Sequence, residues 1–289
     1  ATCDQNRERF GRYPCYTSCR LRAGEDSPYA CNKRDHCHAS TCANDTMYVE
    51  RLMSTIENHV CLDLRRQYVT GMSVGGMMAY WLAAEFGDRF AAAIPVAGSA
   101  LLGFWRDPRY PIPLMDIHGT EDDTVPANYS NGFVGNGPDA KPYPMVVPGC
   151  PECAFSNDGF YYTPNDNITR GVAGVNGCEC ARGDKKCHVL SWTTMYDGTK
   201  LSREAKWTCF QSFGSGGDYP VVRCTWKGKH FMPLHGPIET ATVKEKKQFF
   251  PNVAWEFLSR FHIRKGSPKE AALLRRVPLP LLAVGSKVS

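Results

Sequence analysis

The run "YVTGMSVGGMMAYWLAAEFG", Tyr68 to Gly87, constrains the fold more than any other stretch of this chain. "RQYVTGM" reads as a short strand, and "GGMMAYWLAAEFG" as a buried or amphipathic helix with Gly87 as its C-cap. Between them, Gly71-Met72-Ser73-Val74-Gly75 fits the pattern G-x-S-x-G. There a serine stands on a strained bend, and glycines flank it because neighbouring backbone passes too close for side chains. The bend lifts the hydroxyl into the open. It also aims the N-terminus of the helix, with the Val74 amide, at the place where an oxyanion would form. The plainer alternative is a tight turn that contains a serine. A serine hydroxyl alone is a poor nucleophile, so the chemical reading requires a base and an orienting acid elsewhere.

The neighbouring segments set the architecture. "NDTMYVERLMSTIENHV" reads as a helix capped by Asn44 or Asp45, with Met47, Val49, Leu52, Met53, Ile56 and Val60 mostly on one side. "FAAAIPVAG" and "YPIPLMDIHGT" are short apolar runs, as expected of strands covered on both faces. Helix, strand, helix, strand, strand in this order predicts an α/β fold with a mostly parallel sheet and flanking helices. Residues 131–187 hold Gly, Pro, Asn, Asp and five cysteines and read as a long surface excursion. "CHVLSWTTMY" and "YPVVRCTW" are β-like, and "PNVAWEFLSRF" reads as a closing helix with Pro251 in its first turn and Val253, Phe257 and Phe261 on one stripe. The expected organisation is a cysteine-rich loop segment over 1–43, a catalytic domain over 44–263 and a flexible tail over 264–289.

An acid and a base follow the serine in the chain. "MDIHGTEDDTVPA" places Asp122 and Asp123 in the loop after an apolar strand, with Asp116 and Glu121 close by. Ligands collect at that edge of open α/β sheets. "CTWKGKHFMPLHGP" offers His230 and His235 after the strand "YPVVRC". The order serine, aspartate, histidine is that of the α/β-hydrolase fold. "GMSVGGMMAYWLA", "HGTEDDTVP" and "GKHFMP" then resemble stretches of the extracellular polyhydroxybutyrate depolymerase and feruloyl esterase group of α/β-hydrolases. The resemblance runs from Asn44 to about Ala127 and from Tyr219 to Phe261. Position by position it implies Ser73 as nucleophile, Asp122 as acid with Asp123 as its neighbour, and His230 as base with His235 as fallback. Val74 would give one oxyanion amide. The tryptophan of the family's G-H-x-W-P is here Met232. The family also has early strands and an oxyanion-loop His-Gly ahead of these motifs, and neither is found here. The chain is therefore expected to be N-terminally incomplete, with a bare edge on the serine's strand and one oxyanion donor fewer.

Fourteen cysteines in 289 residues exceed what a reducing cytosol usually tolerates. Sequons at Asn44, Asn128 and Asn167 point the same way, to a secreted protein with disulfides. Cys150, Cys153, Cys178, Cys180, Cys187 and the crowd at Cys31, His36, Cys37, His38 and Cys42 match no zinc spacing closely, so disulfides are the expectation. The net charge of +5 is scattered and leaves no nucleic-acid footprint, and no apolar run is long enough to span a membrane. The expected function is hydrolysis of carboxylic esters with no metal or cofactor, the partner being an ester substrate. By resemblance that ester is polymer-linked, either polyhydroxyalkanoate or a feruloyl or acetyl group on polysaccharide. A non-catalytic hydrolase-like binding module is the rival.

Overall fold

The computed structural model describes residues 45–127, 133–134, 141–142, 154–156, 160–177, 190–191, 208–212, 218–226, 228–230 and 243–276. Its main sheet runs in the order β1-β2-β3-β10-β9-β8. These strands are β1 (Tyr68–Met72), β2 (Ala92–Val96), β3 (Leu114–Gly119), β10 (Val221–Trp226), β9 (Thr208–Ser212) and β8 (Leu190–Ser191). The first four are mutually parallel, with Met72 beside Val96 and Gly119 beside Trp226, while β9 and β8 add antiparallel. Two small hairpins, β4 (Phe133–Val134) with β5 (Lys141–Pro142) and β6 (Ala154–Phe155) with β7 (Tyr161–Tyr162), form separate two-stranded sheets.

β2 and β3 are buried along their whole length, as their apolar runs predict. Strand period two sorts their side chains between two apolar clusters. Ile94, Val96, Met115, Ile117 and Val222 pack against helix α4 (Val243–Leu258) through Val253, Ala254 and Phe257. On the other face Ala93, Leu114 and Val221 meet α2 (Val74–Glu85) at Tyr80 and Ala83. The same face meets α3 (Asn165–Val175) at Ile168 and Val172. By the same alternation Asp116, His118 and Arg223 are on the α2/α3 face. β1 stands at the end of the order, pairs with β2 among the described strands, and is only half buried.

Several expectations need correction. Helix α1 (Asp45–His59) forms, but its buried side is narrower than the apolar stripe. Val49 and Met53 reach the core, whereas Met47, Leu52 and Ile56 are exposed. Glu57 is buried because Arg89 pairs with it and Gln67 Nε2 donates to it at 3.1 Å. The excursion is not all surface: α3 lies within 131–187 and buries Ile168, Val172 and Ala173. α4 starts eight residues before Pro251, so the proline is inside the helix, where it has no N–H to give to the carbonyl one turn earlier. β9 was not foreseen.

The reading of a tail from Arg264 also gives way, to helix α5 (Pro268–Arg276), whose Leu273 is fully buried beside Ala91 and Ile263. Its start has a clear local cause. Ser267 Oγ accepts the Glu270 N–H at 3.0 Å, Pro268 follows it, and the Glu270 carboxylate accepts the Gly266 N–H.

Cys3, Cys15, Cys19, Cys31, Cys37, Cys42, Cys150, Cys153, Cys178, Cys180 and Cys187 lie outside the described residues. Among the described residues no helix is long and apolar enough to cross a membrane.

Candidate active site

Ser73 ends β1 and begins α2 with φ 58° and ψ −122°. A positive φ is uncommon for a residue with a side chain. The surrounding backbone holds it there: the Ser73 N–H donates to Val96 O at 3.0 Å, and Ser73 O accepts the Met77 N–H at 2.9 Å. Two glycines make the bend possible by absence of a side chain. A Cβ on Gly71 would come within 3.0 Å of Gly75 Cα and closer to its carbonyl, and one on Gly76 would come 2.6 Å from Val96 O. Gly75 is different from the expectation: a Cβ there would meet nothing within 4 Å, so the crowding falls on Gly71.

Asp122 lies in the loop after β3 with its carboxylate buried. Oδ1 accepts the N–H groups of Thr124 at 3.0 Å and Val125 at 2.8 Å. Oδ2 faces His230 Nδ1 at 2.8 Å. The other ring nitrogen of His230, Nε2, faces Ser73 Oγ at 2.8 Å. The structure thus brings Ser73, His230 and Asp122 into one hydrogen-bonded line at the carboxyl edge of the parallel strands. The His230 side chain is 17% exposed, so the line opens to solvent at its serine end. Gly119 makes the approach of the histidine loop possible, because a Cβ there would overlap Gly228 and Lys229 carbonyls. The Glu121 N–H donates to Gly228 O at 2.9 Å and ties the two loops together.

Asp123 points elsewhere and faces Lys229 Nζ at 3.9 Å. Glu121 is exposed and Asp116 is buried on β3. His235 lies outside the described residues. Val74 opens α2 with its side chain 63% exposed, and its N–H is among the first-turn amides that a helix leaves without an internal acceptor.

A second histidine touches the acid. His118, fully buried, has Nε2 3.3 Å from Asp122 Oδ2 and 2.6 Å from Val125 O. Burial pushes the Asp122 carboxyl up. Hydrogen bonds from His118 and His230, the His118 charge and the Val125 N–H outweigh this and hold it below the ordinary carboxylate value. Burial likewise pushes His118 down, but hydrogen bonds and charge from Asp116 and Asp122 outweigh that and raise it to about 9. Sequence reasoning missed His118 and Asn165, although "LMDIHG" alternates apolar and polar in a strand buried on both faces, which signals polar partners inside.

At the opposite edge of the sheet lies a cavity of about 240 Å³, lined by Pro113, Asp218, Tyr219, Arg264 and Lys269 among others. Pro113 and Tyr219 precede β3 and β10, so this cavity is remote from Ser73. Among the described residues no group of His, Cys, Asp and Glu is arranged to hold a metal.

A model of the prolyl oligopeptidase family matches residues 39–112, a span that includes Ser73 and stops before Asp122 and His230. A bifunctional acetylxylan esterase/xylanase of Neocallimastix patriciarum is 30% identical over 92 residues, 32% of this chain and 14% of that protein. A probable feruloyl esterase C of Aspergillus niger is 30% identical over 102 residues, 34% of this chain and 37% of that protein. Feruloyl esterase B of Piromyces equi is 30% identical over 166 residues, 50% of this chain and 30% of that protein. The chain therefore spans well under two thirds of the length of each of these relatives. A solved thermostable esterase aligns over 47% of this chain and 26% of its own, with 20% identity and a TM-score of 0.29. With its parallel sheet, its flanking helices and its serine at the strand-to-helix bend, this chain has an α/β-hydrolase fold and is similar to feruloyl and acetylxylan esterases.

Proposed function

We propose that the protein is a secreted serine hydrolase that cleaves carboxylic esters. One observation carries the reading: His230 bridges Ser73 Oγ and Asp122 Oδ2 with 2.8 Å on each side. With Oδ2 accepting from Nδ1–H, the imidazole presents Nε2 as a base to the hydroxyl. Ser73 Oγ attacks the ester carbonyl carbon while Nε2 takes the hydroxyl proton. The oxyanion so formed is within the field of the α2 N-terminus, and the Val74 N–H is one donor to it. Collapse breaks the bond to the alcohol oxygen, which leaves with the proton from Nε2. Water then repeats the two steps on the acyl-enzyme and restores Ser73. Asp122 keeps the ring oriented and stabilises its charged form.

The similarity to feruloyl and acetylxylan esterases favours a feruloyl or acetyl group on a polysaccharide over a polyhydroxyalkanoate. Secretion is supported by the fourteen cysteines. A fluorophosphonate probe tests the class: labelling that Ser73→Ala abolishes is the expected result. No labelling, with saturable binding to a glycan, would instead fit a hydrolase-like binding module. Amide cleavage is a second reading, favoured by the prolyl oligopeptidase match over residues 39–112. Turnover of p-nitrophenyl esters without turnover of peptidyl p-nitroanilides decides against it.

A further inference from the structure

The loop that carries Asp122 is held from behind by the start of α3. That helix begins at Asn165, directly after Pro164, with no side-chain cap among the described residues. The first N–H groups of a helix have no acceptor inside it. That of Asn165 finds one in the acid loop, donating to Ala127 O at 2.7 Å. The side chain of the same residue is fully buried. Its Nδ2 is 2.8 Å from His118 Nδ1 and 2.9 Å from Asp116 Oδ1. Tyr80 donates its hydroxyl to that same carboxylate oxygen at 2.8 Å, so the Asn165 amide is anchored to β3 and α2 together. Asp116, His118 and Tyr80 are fully buried as well, where an unmet polar group is costly.

His118 carries the contact on to the loop. Its Nε2 is 2.6 Å from Val125 O, which only accepts, so Nε2 is the donor whether the ring is neutral or charged. An asparagine amide serves the far side of the ring in either state. Its NH2 donates to a bare Nδ1, and, with the amide turned over, its oxygen accepts from Nδ1–H. The two carbonyls held this way, of Val125 and Ala127, follow directly on the amides that hold the acid. The Thr124 and Val125 N–H groups donate to Asp122 Oδ1 at 3.0 and 2.8 Å, and Oδ2 faces His230. Val125 is thus gripped at both of its backbone groups, by Asp122 at the N–H and by His118 at the carbonyl.

We propose that Asn165 is a positioning residue for the reaction above: through the His118–Val125 hydrogen bond and through its own N–H to Ala127, it fixes the loop whose amides aim Asp122 at His230. This inference rests on the serine-hydrolase reading for its consequence in catalysis, but not for its geometry. A side chain on a loop is placed only as well as the groups that anchor that loop. With the anchor gone, Asp122 orients the imidazole less well, and misplacement of this kind costs up to about 100-fold in rate. Asp122 acts on the base and not on the bound ester, so the loss belongs to kcat and leaves KM.

Asn165→Ala removes the amide and keeps the backbone N–H. Alanine is also the better helix former, so the variant does not weaken α3 itself. Val172→Ala is the control for packing: this residue is fully buried about two turns further along α3, in the cluster with Leu114 and Val221. On p-nitrophenyl acetate, Asn165→Ala is expected to lose about tenfold or more in kcat with KM within about twofold of the parent, while Val172→Ala keeps the parental kcat. Amide hydrogen exchange gives the second readout. In Asn165→Ala the Thr124 and Val125 amides should exchange about tenfold faster or more, relative to that of Ile94 on β2. A folded Asn165→Ala with parental kcat, or an equal loss of kcat in Val172→Ala, overturns the proposal. So does a parent whose Val125 amide exchanges as freely as in a short peptide, a check that needs no variant to fold. Exchange reads the loop without turnover: if the parent cleaves no ester and Asn165→Ala still frees the Val125 amide, the esterase reading falls and the clamp on the loop remains.

Discussion

Gly119, the last residue of β3, and Gly228, in the loop after β10, lie so close that a side chain on Gly119 would drive into the Gly228 carbonyl and come 2.8 Å from that of Lys229. The contact sets how close His230, two residues after Gly228, comes to Asp122. It gives the glycine of "HGT" a reason that is steric.

Gly119→Ala should therefore impair activity more than stability. The backbone of the histidine loop must retreat by about an ångström to relieve the overlap with the Gly228 carbonyl, and His230 retreats with it. Misplacement of a reacting group on this scale costs about 10–100-fold in rate. Steady-state kinetics on p-nitrophenyl acetate, with circular dichroism to confirm folding, checks it. Parental kcat in a folded Gly119→Ala would show that the contact does not govern the base.

The three groups of the hydrogen-bonded line should act as a unit. Ser73→Ala and His230→Ala are each expected to lower kcat by roughly a thousandfold or more, and the double variant by no more than either single one. Asp122→Asn should also lose about a thousandfold or more, because the one amide oxygen is claimed by the Thr124 and Val125 N–H groups and the NH2 then faces Nδ1 and favours the wrong tautomer. Additive losses would mean that the groups work independently.

Much of this arrangement was legible because it is local. The bend at Ser73 is written in five residues, and the all-buried strands β2 and β3 in short apolar runs. Asp122 follows β3 and His230 follows β10, so strand order alone places them at one edge. What was not legible depends on partners far along the chain. Asn165 reads as one polar residue in a Gly- and Pro-rich stretch, and only the fold puts it beside Asp116 and His118. Glu57 looks like the wet side of an amphipathic helix until Arg89, thirty-two positions on, is placed against it. Helix α5 was legible and was passed over, since Ser267-Pro268-Lys269-Glu270 is a start signal ahead of "AALL".

The Glu57–Arg89 pair anchors α1 to the sheet domain, and each side chain is about 1% exposed. Removing one member leaves a buried charge without its counter-ion. Glu57→Leu is expected to cost about 3–5 kcal/mol in urea unfolding. Glu57→Leu with Arg89→Met should cost clearly less, because no charge remains to be desolvated. A double variant as unstable as Glu57→Leu would assign the loss to packing of the helix instead.

Lys269 ties the start of α5 to the loop before β3, donating from Nζ to Pro111 O at 3.1 Å while only 5% exposed. Burial pushes its ammonium down to about 7, and the charge of Asp88 offsets this only in part. The sign of the consequence follows from linkage. Above pH 7 the folded chain holds a neutral amine, while the unfolded chain keeps the proton to about 10.4. Unfolding between these values takes up a proton, so on this group's account stability rises with pH from 7 upward, and the penalty of burying the charge is complete below 7. His118 acts oppositely, losing stability from about 6.5 through about 9, so the parent alone would mix the two. The difference between parent and Lys269→Met isolates the lysine. Relative to that variant, the parent should gain on the order of 2 kcal/mol between pH 7 and 9 in urea unfolding. A difference that stays flat across this range would mean that the buried amine keeps its proton, with Asp88 as a full counter-ion.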